Sequence, residues 1–537
     1  MPLTVSELLR DHVSLSIACI DRVYVNGWVP RLMTSGQVVY FLENIRGAKF
    51  ASPALFGQTR KRLSDEVRAL AASEGVDLLR FKGRQRKDDI VQGYRRKNPG
   101  RDRLVVIGVA QERCWSVGGT KKRRQSGSFY FDFSKQSAYV NHFYFYVDDA
   151  DWGPAFLKLG SYAPYPVKLC LNGHEWAKRQ LDKLEIGYEA LDNGFRSCDD
   201  PMALQAICDS LGHEDIRAFF DRWVPRLPWP FTDEEREDFG YDHSLSIWQF
   251  EMSLTQVFDR PVQGRQFFEA VIRNNVDLGR PDRVKLLFPG LHRRTTPAPP
   301  LGYGTRVITR GVSPSLHVEY KRSHVKQYFK EERALRTETT INDPTSFGIN
   351  KHIANLDRLR ELGNHVNQRL LEVERVAEDC VLDEDQLQAL QNPTRDDEGQ
   401  RAAALRFGDR RVMALFQAMC MFLHVHNGFR NRDVRPLVAA LLGIETAQYT
   451  AGRMTYDLRR LRRNGLIQRG HRSHRYQVTP FGRRVAYFHA KVHQRILRPG
   501  WAAIGTDDRI DRPLRAAFRR LDREIDRICG NAQLGAA

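Results

Sequence analysis

Residues 315–343 read SLHVEYKRSHVKQYFKEERALRTETTIND, and the stretch alternates. Leu316, Val318 and Tyr320 point one way, and His317 and Glu319 the other. Val325, Gln327 and Phe329 then alternate with Lys326, Tyr328 and Lys330, and Leu335, Thr337 and Thr339 with Arg336, Glu338 and Thr340. Period-two spacing marks strands, and short polar turns separate the three runs. Three consecutive strands would gather Glu319, Lys326, Tyr328, Lys330, Arg336 and Glu338 on one face. Such a face is either merely solvated or handles phosphate. We expect the second. Lys326, Lys330 and Arg336 would form a phosphate cradle, with Glu319 and Glu338 holding those cations or a metal.

Working outward, RRTTPAPPLGYG (293–304) before this stretch is Pro/Gly rich and reads as a linker or crossover. Residues 185–295 read as helical, in DPMALQAICDSLG, HEDIRAFFDRWVPRL and SLSIWQFEMSLTQVF. Residues 104–172 are strand-rich: RLVVIGVAQE, SFYFDF, AYVNHFYFYVDD, PAFLKLGSY and PVKLCLN follow at hairpin spacing, and HEWAKRQLDKL starts a helix. WSVGGTKKRRQSG, with Lys121 and Lys122, reads as an exposed loop, and the basic run from Arg84 to Arg103 as a loop that is solvated or contacts phosphate. TRKRLSDEVRALAASEG predicts a helix closed by glycine, and Lys351 to about Val376 a long amphipathic one. The two strand regions form either one discontinuous sheet with a helical insertion or two domains.

Composition bounds the function. The 537 residues hold 84 Lys+Arg against 65 Asp+Glu, a net charge of +19, and 42% are hydrophobic. Such a chain buries several cores and favours a polyanion, most often nucleic acid. No run of 18 apolar residues spans a membrane, and the N-terminus lacks a secretory pattern. The eight cysteines are scattered without a C-x-x-C pair, which argues against a disulfide framework or structural zinc and fits a reducing cytoplasm. No Walker loop, G-x-G-x-x-G or G-x-S-x-G occurs, so no nucleotide site is expected.

Between 409 and 498 the pattern runs DRRVMALFQAMCMFLHV, NRDVRPLVAALLG with Asn431 as cap, TAGRMTYDLRRLRRNG with Thr450 as cap, the two strands of LIQRGHRSHRYQVT, and FGRRVAYFHAKVHQRIL. This order resembles the winged helix-turn-helix family, which implies a third helix in the major groove and a wing on the backbone. Arg453, Arg459, Arg460, Arg463, Arg469, Arg472 and Arg475 supply forked donors for phosphates and guanine edges.

Two features suggest chemistry. K-x-Y-x-K (Lys326, Tyr328, Lys330) followed by L-R-x-E (Leu335, Arg336, Glu338) resembles a hairpin of plasmid rolling-circle replication initiators. The resemblance implies a nucleophilic tyrosine, Tyr328 or Tyr320, and metal-binding acids, Glu319 and Glu338. The H-V-H of His424 and His426 sits inside the helical pattern and reads as structural. Separately, Asp148, Asp149 and Asp151 end a strand, and Glu175 lies on a later helix. That order is similar to an RNase H-like nuclease, with Asp148, Asp151 and Glu175 as Mg²⁺ ligands, but D-D-A-D-W-G is also good turn chemistry.

The expected fold is α+β and multidomain, an antiparallel sheet body with a helical insertion and a C-terminal winged helix. The expected regions are 1–103 (mixed), 104–184 (strand-rich), 185–300 (helical), 301–400 (hairpins plus long helix), 401–500 (winged helix) and 501–537 (helical tail). The expected function is DNA processing by a Mg²⁺-dependent nuclease or nicking enzyme of a mobile element, plasmid or phage-defence system. The alternative is a non-enzymatic DNA-binding regulator. DNA is favoured over RNA, with no membrane partner.

Overall fold

The computed structural model describes residues 5–82, 85–97, 99–125, 127–275, 303–310, 313–320, 322–331, 333–376, 382, 384–395, 399–420, 428–470, 473–493, 516, 520 and 523–524. His424, His426, Arg472 and most of the 293–304 linker and 501–537 tail lie outside these residues. For Glu319 and Tyr320 only the backbone is described.

Thirteen strands carry the body: β1 (Val13–Trp28), β2 (Leu78–Arg80), β3 (Arg103–Arg123), β4 (Phe129–Asp149), β5 (Gly153–Gly160), β6 (Val167–Asn172), β7 (Tyr188–Leu191), β8 (Gly194–Cys198), β9 (Ser244–Phe258), β10 (Tyr303–Arg310), β11 (Ser313–Tyr320), β12 (Ser323–Lys330) and β13 (Ala334–Ile341). Eleven of them form one sheet in the order β10-β11-β12-β13-β9-β1-β6-β5-β4-β3-β2, while β7 and β8 pair apart. Every neighbour in the large sheet is antiparallel except β2 on β3. The alternating runs of 315–343 thus join strands from the N-terminal half, and boundaries at 103, 184 and 300 cut through one sheet.

Several expectations need correction. SLSIWQFEMSLTQVF is β9, not a helix. Its pairing with β1 skips a residue between Tyr24↔Gln249 and Val25↔Ile247, which leaves Trp248 without a partner in the ladder. Buried Ile247 and Phe250 therefore stand three apart, and a bulge mimics the helical step. The WSVGGTKKRRQSG stretch (115–127) is not a loop as far as Arg123: β3 and β4 run as one long ribbon to Arg123↔Phe129. Part of the basic run is the helix Lys87–Lys97, with Asp88 and Asp89 in its first turn and Arg95, Arg96 and Lys97 in its last, complementing the helix dipole.

Helices cover both faces at the β13-β9-β1 centre. Leu356–Val376 packs on one: Asn367 Nδ2 donates to Met252 O at 2.9 Å, and Thr339 Oγ1 to Asn367 Oδ1 at 2.7 Å. Gly173–Lys183 covers the other and begins against β1, where a Cβ on Gly173 would sit 2.3 Å from Ile20 O. The C-terminal elements are the helices Arg410–Met419, Asn431–Leu442 and Ala451–Arg463, the strands Ile467–Arg469 and Tyr476–Val478, and the helix Pro480–Val492. Thr450 Oγ1 accepts from Arg453 N, whereas Arg430, not Asn431, precedes the second helix, its N–H donating to Asp433. These helices share a core cluster with Val366 and Leu370 of the long helix.

Gly173→Ala pushes a methyl into a backbone carbonyl that cannot swing away. The denaturant midpoint should drop by the equivalent of about 1–3 kcal/mol with the m-value unchanged. A wild-type midpoint would show that helix and strand do not approach this closely.

Candidate metal centre

Asp21 on β1, Glu251 on β9 and Glu338 on β13 come from three adjacent strands. One oxygen from each lies within 4.8 Å of the others, and no other such group of three acids, histidines or cysteines occurs among the described residues. Local pairing explains the convergence. Glu338 faces Ser253 and Thr340 faces Glu251 across β13–β9, which puts Glu338 and Glu251 on one face. The β1–β9 register shifts between Ile20 and Arg22, so Asp21 has no ladder partner and is turned by the bulge toward the same face.

Arg336 lies behind the acids and is 0% exposed. Its Nη2 pairs with Asp21 Oδ2 at 2.8 Å and reaches His174 Nε2 at 2.9 Å. Its Nη1 donates to Asn193 O at 2.6 Å and Thr255 Oγ1 at 3.2 Å. Nε lies 3.9 Å from Glu338 Oε2 and makes no hydrogen bond. Asn193, in the β7–β8 turn, donates to Asp21 Oδ1. Gly194 lets that turn approach, since a Cβ there would meet Arg336 Nη1 at 3.2 Å. Asn172 Oδ1 accepts from the N–H of His174 and of Glu175, as an N-cap, and its Nδ2 donates to Asn193 Oδ1 at 3.0 Å.

The three acids feel different fields. Burial raises the Asp21 carboxyl, but Arg336 and His174 outweigh it and hold it well below the usual range. Glu251 is pushed up to about 7 by burial and then by Asp21 and Glu338. Burial and Asp21 also raise Glu338, against the pull of Arg336 and Lys326. Arg336 thus pulls on Asp21 and Glu338, and Arg22 is the cation that draws Glu251 down, yet both glutamates stay above the usual range. A hard divalent cation such as Mg²⁺ suits this all-oxygen donor set and would relieve the repulsion. Tyr328, opposite Arg336 in the ladder, is raised by burial and then by the charge of Glu338 on the same face. Lys326 Nζ stands 3.9 Å from the centre of the Tyr328 ring.

Of the residues singled out in the sequence, Glu338, Tyr328, Lys326 and Arg336 come together here, and Lys330 lies on the same face, where burial and then Arg336 lower its pKa. Arg336 corrects the cradle expectation: its donors are turned inward, so it cannot line a surface for phosphate. Asp148, Asp151 and Glu175 do not join Glu338. Asp148 pairs with Arg179 at 2.6 Å, Asp151 with Lys183 at 2.5 Å and with Arg222, and Glu175 with Lys178 at 2.7 Å. Asp149 Oδ1 accepts from the N–H of Asp151 at 2.8 Å and of Trp152 at 2.9 Å, so D-D-A-D-W-G is a turn.

In the C-terminal elements, Arg459, Arg460 and Arg463 line a groove of about 510 Å³ with Arg401, Arg406 and Tyr456. Arg460 Nε donates to Ala403 O at 3.2 Å and Arg463 Nη1 to Arg401 O at 2.9 Å, which ties both to the 401–403 backbone. Arg453 and Arg459 are exposed, Arg469 donates to Ser473 O at 2.7 Å, and Arg475 is half-buried. No protein-family model matches the chain, and no curated protein or solved structure is detectably similar to it.

Arg336→Met leaves Asp21 buried without its cation. Stability should fall by about 3–5 kcal/mol, and the double variant with Asp21→Asn should recover part of it. A strictly additive double variant would disprove the coupling. Glu251 has its folded pKa raised from 4.5 to about 7. The folded state then binds the extra proton, so metal-free stability should decline as pH rises from about 4.5 to about 7. Glu251→Gln should flatten that decline, and Mg²⁺ should raise the melting temperature more at pH 8 than at pH 5.

Proposed function

We propose that this chain binds nucleic acid, DNA in preference to RNA, and processes it by metal-dependent phosphoryl transfer at Asp21, Glu251 and Glu338. The observation that carries the reading is the convergence of these carboxylates within 4.8 Å, beside Lys326 and Tyr328. A bound Mg²⁺ would polarise the scissile phosphate. Lys326 would orient a non-bridging oxygen, and Arg336 would hold Asp21 ionised from behind. The +19 charge supports a polyanionic substrate.

Tyr328 fits the nucleophile of a nicking reaction. Its phenolic oxygen would form the new P–O bond, its proton would pass to Glu338, and the displaced sugar oxygen would leave. The β12–β13 register, which puts Tyr328 and Glu338 on one face, supports that proton path. The order of three helices, two short strands and a final helix at the C-terminus supports a winged helix that delivers DNA, with Ala451–Arg463 entering the groove. Its arginine density also favours the second reading, a regulator that binds without cutting.

The two readings separate on one protein. Glu338→Gln should abolish Mg²⁺-dependent cutting of supercoiled or single-stranded DNA while sparing binding in EDTA, because an amide is a poor ligand for a hard cation. Tyr328→Phe should abolish a denaturant-resistant protein–DNA adduct. Arg453→Ala with Arg459→Ala should weaken binding and lower the salt slope by about 0.9 for each duplex phosphate that the variant no longer neutralises. Binding without any metal-dependent cutting would leave the regulator; cutting without an adduct would leave a hydrolytic nuclease.

A further inference from the structure

The ribbon formed by β3 and β4 outruns the rest of the sheet. Its register pairs Arg113 with Tyr139, Trp115 with Ser137, Lys121 with Phe131 and Arg123 with Phe129. Directly paired residues share a face, so these side chains line one side of a narrow two-stranded arm. Trp115 is 71% exposed, Tyr139 70% and Phe129 60%. Further down, Phe133 is used differently: it packs on Phe56 of the helix Pro53–Ser73, with ring centres 5.9 Å apart. The core therefore covers the middle of this face, at Val117 and Phe133, and leaves Trp115 and Tyr139 exposed on the body side of it and Phe129 exposed toward the tip.

Cations are threaded among those rings. Lys121 Nζ lies 4.1 Å from the Phe129 ring centre and Arg123 Cζ 5.8 Å from the same ring, while Arg124 Cζ lies 5.4 Å from Tyr130 on the opposite face. From Arg113 to Tyr139 the cations are Arg113, Lys121, Lys122, Arg123, Arg124 and Lys135, and the one acid is Asp132. Asp132 is already paired with Lys122 at 2.5 Å. Rings held flat by a sheet and flanked by phosphate-binding cations suit bases that are unpaired and free to stack. A duplex keeps those base faces stacked on one another.

We infer that the exposed β3–β4 ribbon is a stacking platform for single-stranded nucleic acid, with bases on Trp115, Tyr139 and Phe129 and phosphates on Arg113, Lys121 and Arg123. The polymer class rests on the proposed function, but the site is separate from the metal centre. The ladder Arg103↔Asp148↔Pro154 brings only the base of the ribbon into line with the end of β6 that pairs with Arg22. Trp115 lies twelve residues farther along β3, about 40 Å at strand rise.

The test uses the full chain in EDTA, a labelled oligothymidine of about 20 nucleotides, a duplex of equal length, and phosphatidylserine vesicles. Trp115→Ala and Tyr139→Ala should each weaken the single-strand complex by about fivefold or more, given a stacking contribution of roughly 1–3 kcal/mol per base. Both should leave duplex affinity within about twofold, since duplex bases offer no free face. Trp115→Phe should keep affinity and remove the tryptophan quenching seen on binding. Unchanged single-strand affinity in both alanine variants, or equal loss on the duplex, overturns the proposal. So does vesicle binding that Trp115→Ala abolishes, which would make the arm a membrane contact. If the wild type binds no nucleic acid, the proposed function falls as well; if it binds and the ring variants are silent, only the platform falls.

Discussion

The ion pair between Arg336 and Asp21 holds the centre of this molecule together. It reaches across β9 to join β13 to β1, and the same guanidinium takes a carbonyl from the β7–β8 turn and a ring nitrogen from the helix Gly173–Lys183. A charge so deeply buried is tolerable only when its partners are fixed, and here four elements supply them. The pair also divides labour among the acids. Asp21 is committed to its guanidinium, while Glu251 and Glu338 are held above the usual carboxylate range and remain the responsive members.

The opposite face of the same strands shows the contrast. Gln327 and Thr337 point toward the long helix, where Gln327 Nε2 donates to Glu374 at 3.1 Å. Burial pushes Glu374 up to about 8, so this acid is held neutral and serves as a polar seal within the layer. One strand thus offers a neutralised carboxyl on one side and an ionisable cluster on the other. The difference is the Arg336 guanidinium, which holds Asp21 ionised on the cluster's side, whereas only Gln327 opposes burial at Glu374.

The three strands of 315–343 and their mixed face were legible because alternation survives wherever one side of a strand is polar. The C-terminal helices were legible from their apolar spacing, from Thr450 as a cap and from the closing glycines Gly443 and Gly465. Half of the centre was not. Asp21 lies in ACIDRVYV and Glu251 in IWQFEMSL, each a lone acid in an apolar run, and such a residue is expensive unless paired. That cost was the available signal. The partner that explains Asp21 is more than three hundred residues away, where local periodicity carries no information. Asp192-Asn193-Gly194 is a strong hairpin signal inside a region that otherwise reads as helical, and its carbonyl completes the Arg336 shell. Asp148, Asp151 and Glu175 failed for the opposite reason: sequence order suggested convergence, but nearby cations satisfied each acid locally.

The β1–β9 pairing has a consequence for how the chain is made. β1 leaves the ribosome early, yet one of its edges waits for a strand more than two hundred residues later, and its buried acid waits longer still for β13. Until then Asp21 has no counter-charge, and a hydrophobic strand stays open to any passing edge. Assembly is therefore closed from the far end. Chain segments that end before residue 336 should populate unfinished, association-prone states, and productive synthesis favours either slow collapse or protection of the nascent N-terminal half.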